Sequence, residues 1–443
     1  MRSIRFSACA EPASAGSGSA GMTRLFLPML LFAAACTPVS RSDEGPAGSA
    51  QQQRDDPAPV PASPAAPADV VQGNADFGLA LYKELAAEPG DVFLSPISIA
   101  GAFGPVVAGA QGETRDAIAR AMRFPARGGA GLHPALGGML RGLEREQEGA
   151  TLSIANALWV RQGFALKPEF LRVARQDYDA AVEPLDFARA PAAAAGRING
   201  WVSRETRGRI PELISADSLN QDTALVVTNA VYFLGDWPTP FNASNTSEQP
   251  FYTGRSESQP IPLMYRKDSY RYLETDDFQA IDLPYKDPRL SMTVFLPKAR
   301  DGLASFERRL DETRLRAWLG DIDKAEPRTV YLYLPKLKVE ATYNLVPALR
   351  ALGMGIAFSN RADFRGMADA DLLISQVVHK TFVRVDEKGT EAAAATGVEI
   401  ELTSAPSIEP PTFRADHPFF FLLRDRSSGA MLFLGRIVAP ERP

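Results

Sequence analysis

Nucleophilic, acid–base and metal-binding chemistry in proteins often uses histidine and cysteine, and this chain of 443 residues has few of either. Its histidines are His133, His379 and His417, and its two cysteines, Cys9 and Cys36, both lie in the first 36 residues. A Ser-His-Asp triad would have to use one of these histidines, and the sequence has no Gly-x-Ser-x-Gly segment. The cysteine-free body excludes a disulfide scaffold, a thiolate metal site and a cysteine nucleophile. We therefore expect no enzymatic activity, no metal and no cofactor.

A different kind of chemistry is suggested by segment 387–403, which reads EKGTEAAAATGVEIELT. Its even-numbered positions from Thr390 to Leu402 are small or apolar, and its odd-numbered positions from Glu391 to Thr403 are acidic or small. A period of two is typical of a strand with one buried face. Serine and proline then follow, as in an exposed loop. The chain thus has a strand pattern where a loop is expected, with an edge strand or an alanine-rich helix as the alternatives.

The chain as a whole has the composition of a soluble globular protein, with 45% hydrophobic and 23% charged residues and a formal net charge of −5. This balance excludes a mainly disordered chain and gives no sign of a nucleic-acid-binding surface. Helical spacing covers 74–87, and Ser95 and Pro96 are typical of a helix start. Segment 224–234 is apolar enough to be a central strand, and 280–285 is expected to pair with the strand after it. The predicted strands are 92–94, 152–160, 182–187, 224–234, 280–285, 292–296, 330–334, 383–385, 419–423 and 432–434. These elements predict a mixed α+β domain.

Residues 1–36 are typical of an export signal rather than of a folded element. The apolar run 25–36 is too short to span a bilayer, which needs about 20 residues, but it fits a signal peptide. Met22 stands where such a signal would start, so the residues before it form an upstream extension. The Ala-Ala-Ala-Cys run that ends at Cys36 is similar to a bacterial lipoprotein cleavage site and predicts lipidation of that cysteine. An ordinary signal peptide with an incidental cysteine is the alternative.

Residues 37–70 are rich in proline, alanine, serine and glycine, a composition that predicts a disordered tether. No second linker divides residues 71–443, which we expect to form one domain. The signal and the lipid together predict export across the inner membrane and anchoring in the bacterial envelope, in the periplasm or at the cell surface. Without the lipid, the protein would be extracellular.

The segment that begins at Glu387 resembles the hinge motif of the serpin family, at the base of the reactive-centre loop. The hinge residues are Glu387, Gly389, Thr390, Glu391, Ala392, Ala393, Ala394, Ala395 and Thr396. Other blocks resemble the family in the same order and extend the resemblance over about residues 71–440. They are 74–77 (NADF), 93–98 (FLSPIS), 228–233 (TNAVYF), 235–237 (GDW), 240–241 (PF), 378–380 (VHK), 413–419 (FRADHPF) and 433–436 (FLGR). On these blocks the chain is identified as a member of the serpin family.

The resemblance implies a serpin fold, with a large central β-sheet, additional β-sheets, about eight to nine helices and an exposed reactive-centre loop. It also implies a suicide inhibitor of serine proteases. The protease attacks loop 387–412 and forms an acyl-enzyme, and the cut loop then inserts into the central sheet and traps the protease. Residues 389–403, at roughly 3.3 Å each, give about 50 Å of strand, which is long enough to cross a domain.

The start of the insertion face is compatible with burial. Thr390, Ala392 and Ala394 are small and uncharged. A charge at these positions would be buried without a partner, and a proline would remove a hydrogen bond of the sheet. The hinge therefore favours an inhibitory member of the family over a non-inhibitory one.

The family's usual loop length, counted from Gly389, puts the cleaved bond at Thr403–Ser404, with the two adjacent bonds as alternatives. A small residue before the bond suits an elastase-like protease, and Leu402 there would suit chymotrypsin-like or subtilisin-like enzymes. Segment 389–413 contains no lysine or arginine, which disfavours trypsin-like targets.

By the same resemblance, Ser95, Ser98, Asn229 and His379 form a polar cluster beneath the central sheet, where its strands part. Pro96 and Trp237 complete the expected shutter and breach regions. The alternative is that each polar side chain only satisfies a buried backbone group.

We expect the partner to be a target serine protease, with the membrane contacted only through the lipid, no nucleic acid, and a monomeric inhibitor. One alternative function is a non-inhibitory serpin scaffold used for binding or adhesion. Another is inhibition of papain-like cysteine proteases, which also act through an acyl-enzyme.

Overall fold

A computed structural model describes residues 67–125, 129, 131–144, 149–389 and 409–441. The predicted signal, lipidated Cys36, most of the tether, the hinge from Thr390 onward and the cleaved bond at Thr403–Ser404 lie outside the described residues. The described part contains nine α-helices and fourteen β-strands. None of the helices in this part is both long and apolar enough to cross a bilayer.

The elements follow one another along the whole described chain. The helices are α1 (Ala68–Leu85), α2 (Pro96–Gly109), α3 (Gly112–Ala121), α4 (Leu132–Leu143), α5 (Pro168–Tyr178), α6 (Pro191–Glu205), α7 (Leu303–Arg309), α8 (Glu312–Lys324) and α9 (Val346–Leu349). The strands are β1 (Val92–Leu94), β2 (Ala150–Arg161), β3 (Ala181–Leu185), β4 (Leu225–Gly235), β5 (Ser247–Tyr252), β6 (Ser258–Glu274), β7 (Phe278–Pro284), β8 (Leu290–Pro297), β9 (Arg328–Pro335), β10 (Leu337–Asn344), β11 (Ile374–Val385), β12 (Thr412–Arg414), β13 (Phe419–Asp425) and β14 (Met431–Ile437).

The strands form two sheets. A five-stranded sheet has the order β10-β11-β4-β2-β3, and a nine-stranded sheet runs β1-β14-β13-β8-β7-β6-β9-β12 with β5 paired to β6. Strand β4 is antiparallel to β2 and parallel to β11. Strands β7 and β8 pair as predicted. The predicted α+β fold, with large sheets and about eight to nine helices, is confirmed.

Strand β4 is the middle strand of the five-stranded sheet, and both of its faces are buried. Odd-numbered residues such as Leu225 and Val227 belong to the main core, which includes α2. Even-numbered residues such as Val226 and Tyr232 belong to a second core beneath α6. A strand buried on both faces is apolar almost throughout, and this is why the sequence pattern over 224–234 identifies it.

Strands β5, β6 and β10 were not predicted, and two of the predicted boundaries differ most from the structure. Helix α1 begins at Ala68, before the helical spacing that was predicted from Asn74. Val70 is only 5% exposed and packs into the core, and the Asp69 carboxylate in the first turn favours a helix start there. Strand β11 is much longer than the predicted 383–385. The polar residues in its middle interrupt the strand pattern, and this is why the sequence identified only its end.

Candidate functional site

The described chain leaves β11 through a tight turn that ends at Gly389. The Asp386 N–H donates to the Gly389 carbonyl at 2.7 Å, and the Trp237 N–H donates to the Lys388 carbonyl at 2.7 Å. Gly389 also forms an antiparallel bridge with Asp236, next to the end of β4. Its φ is +142°, and a Cβ there would lie 2.0 Å from the Gly235 oxygen. Only glycine fits this turn, because both the dihedral and the close approach exclude a side chain.

The side chain of Trp237 is hydrogen-bonded to the turn. Its indole N–H donates to the Asp386 carbonyl at 3.0 Å, and its ring stacks on Tyr285 with centroids 4.8 Å apart. The Phe241 N–H donates to the Glu387 carbonyl at 2.6 Å. The turn after β11 is therefore bonded to the segment that follows β4. These bonds hold the C-terminal ends of the two strands together.

Glu387 forms an ion pair beside the turn that ends at Gly389. Its carboxylate lies 2.9 Å from Lys336 Nζ and accepts a hydrogen bond from the Thr246 hydroxyl at 2.9 Å. Burial alone would raise the pKa of Glu387, but the hydrogen bonds from Lys336 and Thr246 outweigh it and hold the pKa below its ordinary value. The side chain is therefore ionised and paired at neutral pH.

Strands β4 and β11 are direct neighbours along a boundary that we call the seam. Their parallel ladder runs from Leu225 beside Ile374 to Phe233 beside Val383. Within the described residues no other strand lies between them. The seam is therefore closed over most of the length of β4.

Beneath the seam, the polar cluster of Ser95, Ser98, Asn229 and His379 lies in one hydrogen-bond network. The Ser98 hydroxyl donates to Asn229 Oδ1 at 2.8 Å, and His379 Nδ1 bonds the same oxygen. The Ser95 N–H lies 3.2 Å from His379 Nε2. Since Nε2 accepts, Nδ1 carries the proton, and the ring is the neutral tautomer. None of the four residues is more than 2% exposed.

Burial determines the charge state of this cluster. It lowers the pKa of His379 from 6.5 to about 3, so the ring is uncharged at neutral pH. Both ring nitrogens are engaged, and the Ser95 hydroxyl donates to the Leu432 carbonyl at 2.6 Å. The arrangement holds β4, β11 and the start of α2 together and does not prepare a serine for attack.

The start of α2 positions the two serines. Ser95 is the N-cap, and its hydroxyl oxygen accepts from the Ser98 N–H, while Pro96 occupies the first turn. Pro96 packs so closely on α1 that a Cβ on Gly78 would lie 2.4 Å from its ring. Helix α2 is thus held against α1, with its polar first turn pointing at the seam.

Three further residues of this region were not identified from the sequence. Asn156 on β2 accepts from the Asn229 amide at 2.6 Å. Thr381 donates to the Phe93 carbonyl at 3.0 Å, and the Tyr343 hydroxyl accepts from the Phe93 N–H at 3.1 Å. The only available sign of Asn156 was a polar residue within an apolar strand, and the other two have partners far away in the sequence.

The other two histidines lie elsewhere. His133 bonds the Tyr178 hydroxyl at 2.8 Å. His417 is 7% exposed and bonds Asp416 at 2.8 Å and the Pro297 carbonyl at 2.6 Å. Among the described residues there is no group of three or more His, Cys, Asp or Glu side chains placed to hold a metal ion.

Comparison with known proteins agrees with this architecture. Residues 72–440 match the sequence model of the family described as Serpin (serine protease inhibitor). The leukocyte elastase inhibitor of Bos taurus is 36% identical over 378 residues, which cover 83% of this chain and 98% of that protein. A serpin-like protein of Thermococcus kodakarensis is 37% identical over 375 residues, covering 84% of this chain and 86% of that protein. The crystal structure of uncleaved ovalbumin is similar with a TM-score of 0.77 and 31% identity, over 84% of this chain and 100% of that one.

The chain therefore belongs to the serpin family, as the sequence motifs indicated. Serpins are a family of protease inhibitors, and the partners of such inhibitors are their target proteases.

Proposed function

We propose that the protein is a suicide inhibitor of serine proteases. In this proposal loop 387–412 is cleaved near Thr403–Ser404, and the carbonyl of Thr403 is held as an ester on the protease serine while the new amine at Ser404 leaves. The cleaved loop then inserts along the seam between β4 and β11 and distorts the trapped acyl-enzyme.

The observation that carries the proposal is the antiparallel bridge between Gly389 and Asp236. Residue numbers in an antiparallel ladder rise on one strand as they fall on the other. Continuing this ladder would place Thr396 beside Asn229 and Ile400 beside Leu225. The loop is therefore long enough to pair with all of β4, and Thr403 would lie just beyond the end of that strand.

The same register assigns the two faces of the loop. Residues directly opposite each other in a ladder point to the same side of the sheet. Even-numbered loop residues, which are small or apolar, would face the main core with Leu225 and Val227. The acidic odd-numbered residues, such as Glu391 and Glu399, would face the outer side. The proposed register would thus direct the apolar set inward, and a shift by one residue would bury the glutamates.

In this proposal the polar cluster controls insertion. The contact between Asn229 and His379 crosses the seam, so it must open before a strand can enter. Thr396 would arrive at that level and supply a hydroxyl in place of the lost partner.

The target class follows from the residues beside the cleaved bond. Thr403 favours an elastase-like primary pocket, and similarity to the leukocyte elastase inhibitor supports that class. Leu402 as the alternative favours chymotrypsin-like or subtilisin-like enzymes. We further propose that Cys36 carries a lipid and that residues 37–70 tether a monomeric inhibitor to the bacterial envelope.

The deciding experiment mixes the purified chain with elastase, chymotrypsin, subtilisin, trypsin and papain and separates the products on denaturing gels. We expect a covalent complex with an elastase-like or chymotrypsin-like enzyme and none with trypsin. Mass spectrometry of the released C-terminal peptide then identifies the cleaved bond. Complete cleavage by every enzyme without a complex would contradict inhibition and favour a non-inhibitory scaffold, and a complex with papain alone would favour cysteine proteases.

A second measurement tests insertion without trapping. We expect a loop cleaved by a non-target protease to insert, and the melting temperature to rise strongly because a new central strand is added. The comparison is a thermal melt of the intact and the cleaved chain. An unchanged melting temperature after cleavage would contradict insertion of the loop.

A further inference from the structure

A cavity of about 380 Å³ lies between α5, β3 and α6, away from the seam. Its polar lining consists of Arg175 and Asp179 at the end of α5, Glu183 on β3, and Trp201 and Glu205 on α6. A volume of this size is typical of a small-molecule site. None of these five residues belongs to the seam, the polar cluster or the turn after β11, so the cavity is a separate feature of the fold.

Trp201 brings an unused hydrogen-bond donor to the cavity. Its side chain is buried at 9% exposure and packs edge-on against Trp159, with ring centroids 5.6 Å apart. The Trp159 indole N–H donates to Thr228 Oγ1 at 2.8 Å, whereas the Trp201 indole N–H has no acceptor in the described part of the chain. It is not one of the fully enclosed polar atoms without a partner, so it opens into the cavity. Because a buried indole N–H normally has an acceptor, the ligand is expected to supply one.

The charges around the cavity are only partly paired. Glu183 is occupied, since its carboxylate accepts from Arg197 at 2.6 Å and 2.9 Å. Asp179, Glu205 and Arg175 form no ion pair with any other residue that the structure describes. Two carboxylates thus stand against one guanidinium, an excess of one negative charge. A ligand that carries both signs and a net charge of about +1 complements this lining.

Both carboxylates are attached to fixed backbone. Asp179 ends α5 in the left-handed conformation, with a φ of +50°, and its N–H donates to the Arg175 carbonyl at 3.2 Å. Glu205 is the last residue of α6, and its carbonyl accepts from the Ser153 hydroxyl of β2 at 3.0 Å. The cavity wall is therefore held by two helix ends and a sheet, which lowers the entropic cost of binding.

We propose that this cavity binds a free basic α-amino acid, with arginine as the best match. The α-carboxylate of the ligand would accept from the Trp201 indole N–H and pair with Arg175. The side-chain guanidinium would donate to Asp179 and Glu205, because its five N–H donors can serve two carboxylates at once, whereas an ammonium group is a compact point charge. This binding function goes beyond protease inhibition and does not depend on insertion of the loop.

The experiment is isothermal titration calorimetry of the full chain at neutral pH with L-arginine, agmatine and L-citrulline. Agmatine lacks the carboxylate, and L-citrulline lacks the side-chain charge. We expect L-arginine to bind with a Kd below about 1 mM. The other two compounds should each bind at least about tenfold more weakly, because each loses one charged end of the ligand.

Two variants locate the binding site. Trp201→Phe keeps an aromatic ring against Trp159 and removes only the indole N–H, and Asp179→Asn keeps a residue type that tolerates the left-handed turn. We expect each to weaken L-arginine binding about tenfold, because each removes one hydrogen-bonding or charged partner of the ligand. Asp217→Asn is the matched control, since Asp217 is an exposed carboxylate outside the cavity, in the segment between α6 and β4.

The outcomes decide the proposal without reference to proteases. A Kd for L-arginine above about 1 mM, or equal affinity for L-citrulline or agmatine, would overturn it. Unchanged binding by both Trp201→Phe and Asp179→Asn, or equal weakening by Asp217→Asn, would place any binding outside this cavity and overturn it too. Denaturant unfolding shows whether each variant is folded, and Glu205→Gln at the exposed end of α6 supplies the test if either is not. Each of these failures would leave the proposed inhibition untouched.

Discussion

Lys336 Nζ lies 2.9 Å from Glu387 Oε2 and joins the connection between β9 and β10 to the turn that follows β11. Both side chains are mostly buried, with 23% and 16% exposure. This ion pair and the Trp237 contact with Asp386 together hold the C-terminal end of β11 beside the C-terminal end of β4. Opening of the sheet from this end would begin with their separation.

We expect Glu387→Gln to lower the free energy of unfolding by about 1 kcal/mol, because Lys336 loses its carboxylate in a mostly buried site. The measurement is urea unfolding at neutral pH, with the exposed Glu84→Gln on α1 as control. The pKa of Glu387 is held below 4.5 in the folded chain. Its stabilising contribution is therefore present above pH 4.5 and is lost as the pH falls through the folded value. Equal stability of the two variants at every pH would contradict the contribution of this pair.

His379 makes a second prediction, about acid sensitivity. Burial lowers its pKa from 6.5 to about 3, so between these values the unfolded chain binds a proton that the folded chain does not. Stability from this group is complete above pH 6.5 and declines as the pH falls towards 3. The full loss is about 5 kcal/mol. We expect the free energy of unfolding to fall steeply between pH 6.5 and 4.

The variant His379→Asn isolates this contribution. It removes the titrating ring, so its free energy of unfolding should depend less on pH over the same range. At pH 7.5 it should be less stable than the wild type by about 2 kcal/mol, because Ser95 and Asn229 lose hydrogen-bond partners in a buried site. Parallel pH profiles for the two proteins, obtained by denaturant titration, would show that another group causes the acid sensitivity.

Gly389 gives a prediction that depends on shape alone. A Cβ at this position would lie 2.0 Å from the Gly235 oxygen, whereas a Cβ at Gly90, which also has a positive φ, meets no atom within 4 Å. We expect Gly90→Ala to cost about 1 kcal/mol from the dihedral, and Gly389→Ala to cost clearly more because the turn must also move. Thermal melts of both variants test the difference, and equal shifts in melting temperature would rule out the close approach as the cause.

The fold was predictable from the sequence wherever a strand has one or two buried faces and no polar residue interrupts its apolar pattern. Strand β4 was found because both of its faces are apolar. Strand β11 was found only at its end, because Gln376, His379 and Lys380 interrupt the pattern. Each of these three side chains is satisfied by a partner more than 100 positions away: Ser218, Asn229 and Glu212 respectively. Periodicity describes neighbours along the chain and contains no information on such partners.

The candidate site was predictable to a similar degree. Ser95, Ser98, Asn229 and His379 were identified by resemblance to a family, and their contacts were not derivable from local pattern. Lys336 was missed because it lies in a short connection, where a single lysine has no periodic signal. The contribution of the structure is the bridge between Gly389 and Asp236, from which the proposed register of the loop along β4 was extended.

The last prediction uses that register directly. Thr390 would follow Gly389 into the sheet and face the main core, whereas Glu391 would face the outer side. We expect Thr390→Arg to turn the inhibitor into a substrate, because insertion would bury an unpaired guanidinium. Glu391→Arg introduces the same side chain one position later, on the outer face, and should keep inhibition. The measurement is the ratio of covalent complex to cleaved product on denaturing gels with the same protease. Loss of the complex in both variants would mean that any arginine in the hinge blocks insertion, and inhibition by Thr390→Arg would show that position 390 does not enter the core.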